Sequence, residues 1–232
     1  MITRNVKQLV SFCLRTLCTV VAYCSVSLCF SQSLLAEGNW QGWNSLTGEL
    51  LEKDNFTLSG YSGFRFREGF DEFWYFETAL KATQKISPRF SISSSVSLLR
   101  LQLFSDVMTT EYRPSLQFNW SEQISAWSFN ARLRNEYRVQ SADQSLISQR
   151  EGFRFRLRAK MGHMLGGNYG VFVSEEILYG ELSSSFEQNR VFTGVTFPKL
   201  NGVTPSISLG LFSLREGSSF KNTPVLSIDF HT

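Results

Sequence analysis

The stretch Gly152-Phe153-Arg154-Phe155-Arg156-Leu157-Arg158-Ala159-Lys160 alternates strictly between apolar and cationic side chains. Successive side chains of a β-strand point to opposite faces, so Phe153, Phe155, Leu157 and Ala159 share one face and four cations share the other. Two environments must solvate such a strand. In a membrane barrel the apolar face meets lipid and the cations meet a polar lumen, whereas in a secreted soluble protein the cations face bulk water.

The same period of two runs outward in both directions. In Ser125–Val139, Trp127, Phe129, Ala131, Leu133, Tyr137 and Val139 oppose Asn130, Arg132, Arg134, Glu136 and Arg138. In Phe73–Gln84, Trp74, Phe76, Leu80 and Ala82 oppose Glu77, Lys81 and Thr83, and in Tyr112–Trp120 the residues Tyr112, Pro114, Leu116, Phe118 and Trp120 oppose Arg113, Ser115, Gln117 and Asn119. Further strands are predicted near Phe56–Arg67, Phe90–Leu103, Gly170–Gly180, Gln188–Phe197, Pro205–Leu214 and Pro224–Phe230, ten in all. Within Phe90–Leu103 the apolar phase passes from Val96 and Leu98 to Leu99 and Leu101, which predicts a bulge near Leu98. The fold class is therefore all-β, an antiparallel transmembrane barrel of about ten strands, alternatively twelve, with a charged lumen and an apolar, aromatic-rich exterior.

Turn chemistry separates the strands: Ser87-Pro88, Gly166-Gly167-Asn168, Pro198 to Gly202 and Glu216-Gly217-Ser218. With ten strands and a periplasmic N-terminus, the turns Lys85–Arg89, Ser121–Gln123, Gly162–Tyr169 and Pro198–Thr204 lie inside, and the longer Gln140–Glu151 lies outside with the remaining loops. Residues 37–55, with Trp40, Trp43 and Leu50-Leu51, form an N-terminal arm, an extra strand or a plug, and 56–232 form the barrel. An extra strand there inverts the count of ends. Trp74, Trp120, Trp127 and Phe197, near strand ends, suit the aromatic girdles of membrane interfaces.

Residues 1–36 read as a signal peptide: Arg4 and Lys7 precede an apolar stretch through Leu17–Phe30, with cleavage after Ala36 and Ser33 as a competing site. All four cysteines (Cys13, Cys18, Cys24, Cys29) lie within it, so the mature chain has none and no disulfide holds it. Arg4, Lys7 and Arg15 are the only charges of that segment, which leaves 20 basic against 20 acidic residues in the mature chain. Nucleic-acid binding gains no support from such a balance. No segment of the mature chain has the 18 consecutive apolar residues that a transmembrane helix requires.

Several patches in order resemble the DUF2490 group of exported bacterial β-barrels. Glu111-Tyr112-Arg113, Leu133-Arg134-Asn135-Glu136-Tyr137-Arg138 and Arg154-Phe155-Arg156-Leu157-Arg158 are similar to its arginine-rich strands, Glu175-Glu176-Ile177 to its acidic strand, and Phe186 to Gly194 to its F-x-x-N-R-x-x-x-G strand. The resemblance covers about Glu111–Phe230. It implies a Gram-negative outer-membrane barrel, in contact with outer-membrane lipid and without catalytic residues to assign. The closing strand, with Leu226, Ile228 and Phe230 in phase, resembles the C-terminal signal read by the barrel assembly machinery, although His231-Thr232 follow the aromatic residue.

The candidate lumen charge network is Glu77, Lys81, Glu111, Arg113, Arg132, Arg134, Glu136, Arg138, Arg154, Arg156, Arg158, Lys160, Glu176 and Arg190. Hairpin pairing sets the arginines of Ser125–Val139 against those of Gly152–Met161, which is unfavourable unless acids from other strands intervene. The expected result is a structural network or a narrow passive pore with a basic wall. A secreted or periplasmic barrel or sandwich holding an apolar ligand is the alternative and requires Phe153, Phe155 and Leu157 to point inward; a lipid-modifying barrel enzyme is the third reading. The mature chain carries only His163 and His231, both expected as surface residues at the periplasmic end, and no nucleophile elbow, phosphate loop or metal-ligand spacing. No cofactor and no enzymatic activity are expected.

Overall fold

The computed structural model describes residues 40–104, 107–142, 150–180, 185–217 and 219–232, so the predicted signal peptide and its cleavage site lie outside the described residues. Eleven strands, neither ten nor twelve, close into one barrel: β1 Gln41–Lys53, β2 Phe56–Arg67, β3 Glu72–Lys85, β4 Phe90–Phe104, β5 Val107–Ile124, β6 Trp127–Ala142, β7 Arg150–Met164, β8 Gly170–Gly180, β9 Ser185–Thr196, β10 Thr204–Glu216 and β11 Ser219–His231. Each strand pairs antiparallel with its neighbours in sequence, and the ring closes where β1 meets β11 in parallel, over seven pairs from Gln41↔Val225 to Thr47↔His231.

The added strand is β1, drawn from the segment whose role the sequence left open. With an odd count the two ends of the chain separate. Trp40 sits beside the β2–β3 turn, where Gly69 N–H donates to its carbonyl at 3.2 Å, while Thr232 lies by Thr47 near the opposite rim. The rim that holds the C-terminus carries the turns at Asp54-Asn55, 86–89, Ser125-Ala126, 165–169 and 197–203. Ser121–Gln123, expected as one of these turns, continues β5 instead, and the turn falls at Ser125, whose φ of 55° places it in the left-handed region.

Register also corrects the expected bulge. Pairs run unbroken from Lys85↔Ser91 to Tyr75↔Leu101, so β4 keeps one phase past Leu98. Leu98 stays outside, and Leu99, fully buried, points into the barrel between Glu77 and Glu111. An apolar side chain on the polar face was read as a change of face; it is a spacer between two carboxylates. A genuine bulge lies in β3, where Arg65↔Tyr75 is followed by Phe66↔Phe73 and leaves Trp74 as the extra residue. Trp74 consequently lines the interior rather than the apolar outer face. Pro114 interrupts β5 for a different reason: lacking an N–H, it and Arg113 leave a gap in the β5–β6 ladder between Tyr112↔Val139 and Ser115↔Glu136.

Following paired residues once round the wall leaves β5 at Gln123, passes Ser128, Gly162, Phe172, Gly194, Ser208, Ser227, Trp43, Arg65, Tyr75 and Leu101, and returns to β5 at Thr109, fourteen residues away. That stagger over eleven strands tilts each strand by about 40° and sets a backbone diameter of about 22 Å. Inward side chains from both walls then nearly meet, which is why the interior is largely filled.

Gly194 shows how tight the filling is. A methyl group there would stand 2.5 Å from the Ile207 carbonyl oxygen and 2.8 Å from Cζ of Phe172. The absent side chain makes room for the Phe172 ring, over which the Lys160 ammonium lies 3.8 Å from the centroid. Gly194→Ala is expected to destabilise the folded barrel by about 1–3 kcal/mol, read as a lower urea midpoint with unchanged slope.

Candidate functional site

The two faces of β7 have different surroundings. Phe153, Phe155 and Leu157 are 44%, 45% and 54% exposed, whereas Arg154 and Arg156 are 5% and 8% exposed. The apolar-ligand alternative required the reverse, and the geometry overturns it. The arginines face a cavity of about 600 Å³ lined by residues from all eleven strands.

Cross-strand pairing stacks like charges side by side: Arg132↔Arg158 and Arg134↔Arg156, with Glu136↔Arg154 next in line. Carboxylates from four strands, β3, β5, β6 and β8, hold the arginines. Glu136, fully buried, accepts from Arg154 Nε at 2.8 Å and Nη2 at 2.5 Å through one oxygen, and from Arg156 Nη1 at 2.8 Å and Arg134 Nη1 at 3.2 Å through the other. Glu176 of β8 accepts from Arg132 at 2.5 Å, Arg156 at 2.7 Å and Arg190 at 3.5 Å. Glu111 of β5 is also fully buried, and it accepts from Arg113 Nε at 2.6 Å, Arg138 Nε at 3.0 Å and Gln140 Nε2 at 2.5 Å. Glu77 of β3 accepts from the Tyr75 hydroxyl and lies 4.0 Å from Arg113 Nη1. The gap at Pro114 falls between the strands that carry Arg113 and Arg138, both bound to Glu111.

Fully buried charges survive only with partners of opposite sign and satisfied hydrogen bonds, so these short, multidentate contacts are the condition for having arginines there at all. The cations with no carboxylate within 4 Å are placed otherwise. The Arg65 guanidinium lies 4.0 Å from the ring centroids of both Trp43 and Tyr75, a cation–π sandwich, and Lys160 uses Phe172 in the same way. Among the described residues, Lys81 and Arg158 have neither a carboxylate within 4 Å nor an aromatic partner.

All fourteen residues singled out in the sequence point inward: Glu136 lies beneath the surface of the cavity and the other thirteen line it. Glu175, next to Glu176 in sequence, faces outward, where its carboxylate accepts from Asn189 Nδ2 at 3.1 Å. Arg65 and Asp229 also line the cavity and lie outside the fourteen, as does Gln117, which the alternation of β5 places on the polar face. A signal for the first two exists in the sequence, since Phe64-Arg65-Phe66 and Ser227-Ile228-Asp229 repeat the alternation of β7. Asp229 accepts from Ser45 at 2.5 Å and Ser227 at 3.0 Å, which ties the parallel seam together. His231 lines the cavity, and His163 packs against Trp127 with the rings tilted and their centroids 4.3 Å apart, so neither is an isolated surface residue. No group of three or more His, Cys, Asp or Glu suited to a metal occurs among the described residues.

Eleven cationic side chains line this cavity, Arg65, Lys81, Arg113, Arg132, Arg134, Arg138, Arg154, Arg156, Arg158, Lys160 and Arg190, against four acids, Glu77, Glu111, Glu176 and Asp229. Buried Glu136 brings the acids to five and leaves an excess of six positive charges. Among the described residues the interior cations are thus only partly balanced, while Glu52, Glu72, Glu122 and Glu175 pair outside the cavity.

An eleven-stranded closed barrel with a charged interior and an apolar outer wall is the class of protein that these observations define. The sequence profile described as "Protein of unknown function (DUF2490)" matches residues 40–211, and the chain belongs to that family. The match takes in the first half of the barrel, beyond the Glu111–Phe230 span in which the sequence resemblance was legible. No curated protein matches the chain. Solved structures similar to it include the KdgM porin, 16% identical with a TM-score of 0.45 over 72% of this chain and 81% of that one. The NanC porin is similar at 9% identity and a TM-score of 0.48, over 74% of this chain and 85% of that one.

Proposed function

We propose that this protein spans the Gram-negative outer membrane as a small non-enzymatic barrel and serves as a narrow passive pore with a basic wall. The observation that carries the reading is the interior excess of six cations around a cavity reached by all eleven strands. A wall of uncompensated arginine and lysine lowers the energy of an anion and raises that of a cation in the same space.

Membrane placement is supported by the outer wall. Strands of 11 to 18 residues exceed the 9–11 tilted residues that cross a bilayer. Leu80, Val96, Leu116, Leu133, Leu157, Ile177 and Leu209 are exposed on consecutive outer faces, an apolar belt that water would not tolerate at this extent. Phe90, Trp120, Trp127, Tyr169, Phe197 and Phe230 gather toward the C-terminal rim, as an interfacial girdle does, and that rim is the periplasmic one if the assembly machinery reads β11.

In planar bilayers under a potassium chloride gradient, the reversal potential is expected to have the sign of chloride selectivity and to shrink toward zero as salt screens the wall. A cation-selective reversal potential, or no conductance from folded barrel, would contradict the pore.

A further inference from the structure

The interior charge is unevenly distributed. Arg113, Arg138 and Arg154 are bound by Glu111 and Glu136, with Glu77 beside Arg113; beyond them Arg134 and Arg156 also share Glu136, Arg132, Arg156 and Arg190 share Glu176, and Lys81 and Arg158 have no carboxylate within 4 Å. Arg132 and Arg158 are cross-strand partners, Arg134 follows two residues along on the same face of β6, and Lys81 of β3 lines the same cavity. Four cations from three strands thus line one cavity, and the two without a carboxylate within 4 Å, Lys81 and Arg158, are among them.

Unused donors point to the same place. Arg132 Nε and Arg134 Nε are buried without an acceptor, as are Arg156 Nε and Arg190 Nε on the same wall. Gln117, 2% exposed, turns its carbonyl oxygen to Arg134 Nη2 at 3.2 Å, which leaves its Nε2 amide hydrogens without a partner. Buried N–H donors and clustered like charges are each costly, and a bound oxyanion relieves both at once by accepting the hydrogen bonds and neutralising the charge. Chloride would supply charge with a single acceptor atom, whereas a tetrahedral or multi-carboxylate anion presents several oxygens to donors arriving from β3, β5, β6 and β7.

We propose that Lys81, Arg132, Arg134 and Arg158, with Gln117, form a discrete binding site for an oxyanion carrying two or more negative charges. The proposal rests on the reading of the interior as accessible to anions. It adds that the cationic wall retains a multivalent anion instead of merely passing small ones.

Calorimetric titration of inorganic phosphate into the detergent-folded barrel, at low salt and pH 8, tests it. Wild type is expected to bind saturably, and Lys81→Gln and Arg158→Gln to weaken binding by roughly tenfold or more each. Both substitutions remove surplus like charge, so without phosphate the variants are expected to resist urea at least as well as wild type, and phosphate is expected to raise the urea midpoint of wild type but not of the double variant. Absence of saturable phosphate binding to wild type, or unchanged binding to the double variant, overturns the site. A barrel that conducts chloride but binds no phosphate retains the pore and loses this site; one that binds phosphate without conducting retains the site and loses the pore.

Discussion

Glu136→Gln is expected to lower the stability of the barrel by about 3–5 kcal/mol, the range seen when one member of a buried charge cluster is removed and its partners remain. The carboxylate is fully buried and accepts hydrogen bonds from Arg154, Arg156 and Arg134, with Arg113 Nε a further 3.8 Å away. Glutamine has nearly the same shape, so the change creates no cavity. It removes the one negative charge that four guanidinium groups share, and its amide N–H₂ meets donors where an acceptor is required. Urea unfolding in lipid vesicles should show the loss as a lower midpoint. The double variant Glu136→Gln, Arg154→Gln should recover part of it, since one of the orphaned cations is then gone. An unchanged midpoint for the single variant would mean that the network does not hold the wall together.

The same contacts explain which parts of the fold could be read from the sequence. Strands β2 and β8 agree in their bounds with the expectation: β2 alternates at both ends, in Phe56-Thr57-Leu58 and in Phe64-Arg65-Phe66-Arg67, and β8 is bounded by Gly170 and Gly180. β1 escaped notice because its alternation is weak. Gly42, Asn44, Leu46 and Gly48 face outward and Trp43, Ser45 and Thr47 inward, so neither face has a uniform polarity, and the strand is held by backbone pairing on both edges. Leu99 and Leu178 mark the other limit. Both are apolar and fully buried inside the barrel, Leu99 between Glu77 and Glu111 and Leu178 between Arg156 and Gln188, where they separate charged neighbours. A two-letter code of apolar and polar residues reads such a spacer as a change of face.

For the candidate site, alternation was sufficient to find the inward arginines, because four cations on one face of β7 have no other reading once its apolar face is outside. It was not sufficient to find how they are balanced. Balance depends on which strands face each other across the interior, a consequence of closure at β1·β11 and of the fourteen-residue stagger. Whole-chain charge was misleading for the same reason: 20 acids against 20 bases outside the first 36 residues imply neutrality, yet among the described residues five acids lie with eleven interior cations.

Adjacent residues of β4 test most directly whether one face of each strand meets lipid and the other an aqueous interior. Val96 is 44% exposed on the outer wall, while Ser95 lines the cavity and its hydroxyl lies 2.7 Å from that of Ser115. All four native cysteines lie within residues 1–36, so a barrel produced from residue 37 onward carries only the cysteine that is introduced. Val96→Cys and Ser95→Cys are small changes at sites outside the ion-pair network. Each is labelled with an environment-sensitive fluorophore and reconstituted in vesicles containing a quencher attached mid-way along the acyl chains. The account predicts strong quenching by the lipid-bound quencher at residue 96 and weak quenching at residue 95, with the order reversed for a water-soluble quencher. Equal responses at the two residues, or lipid quenching at 95 and aqueous quenching at 96, would contradict it.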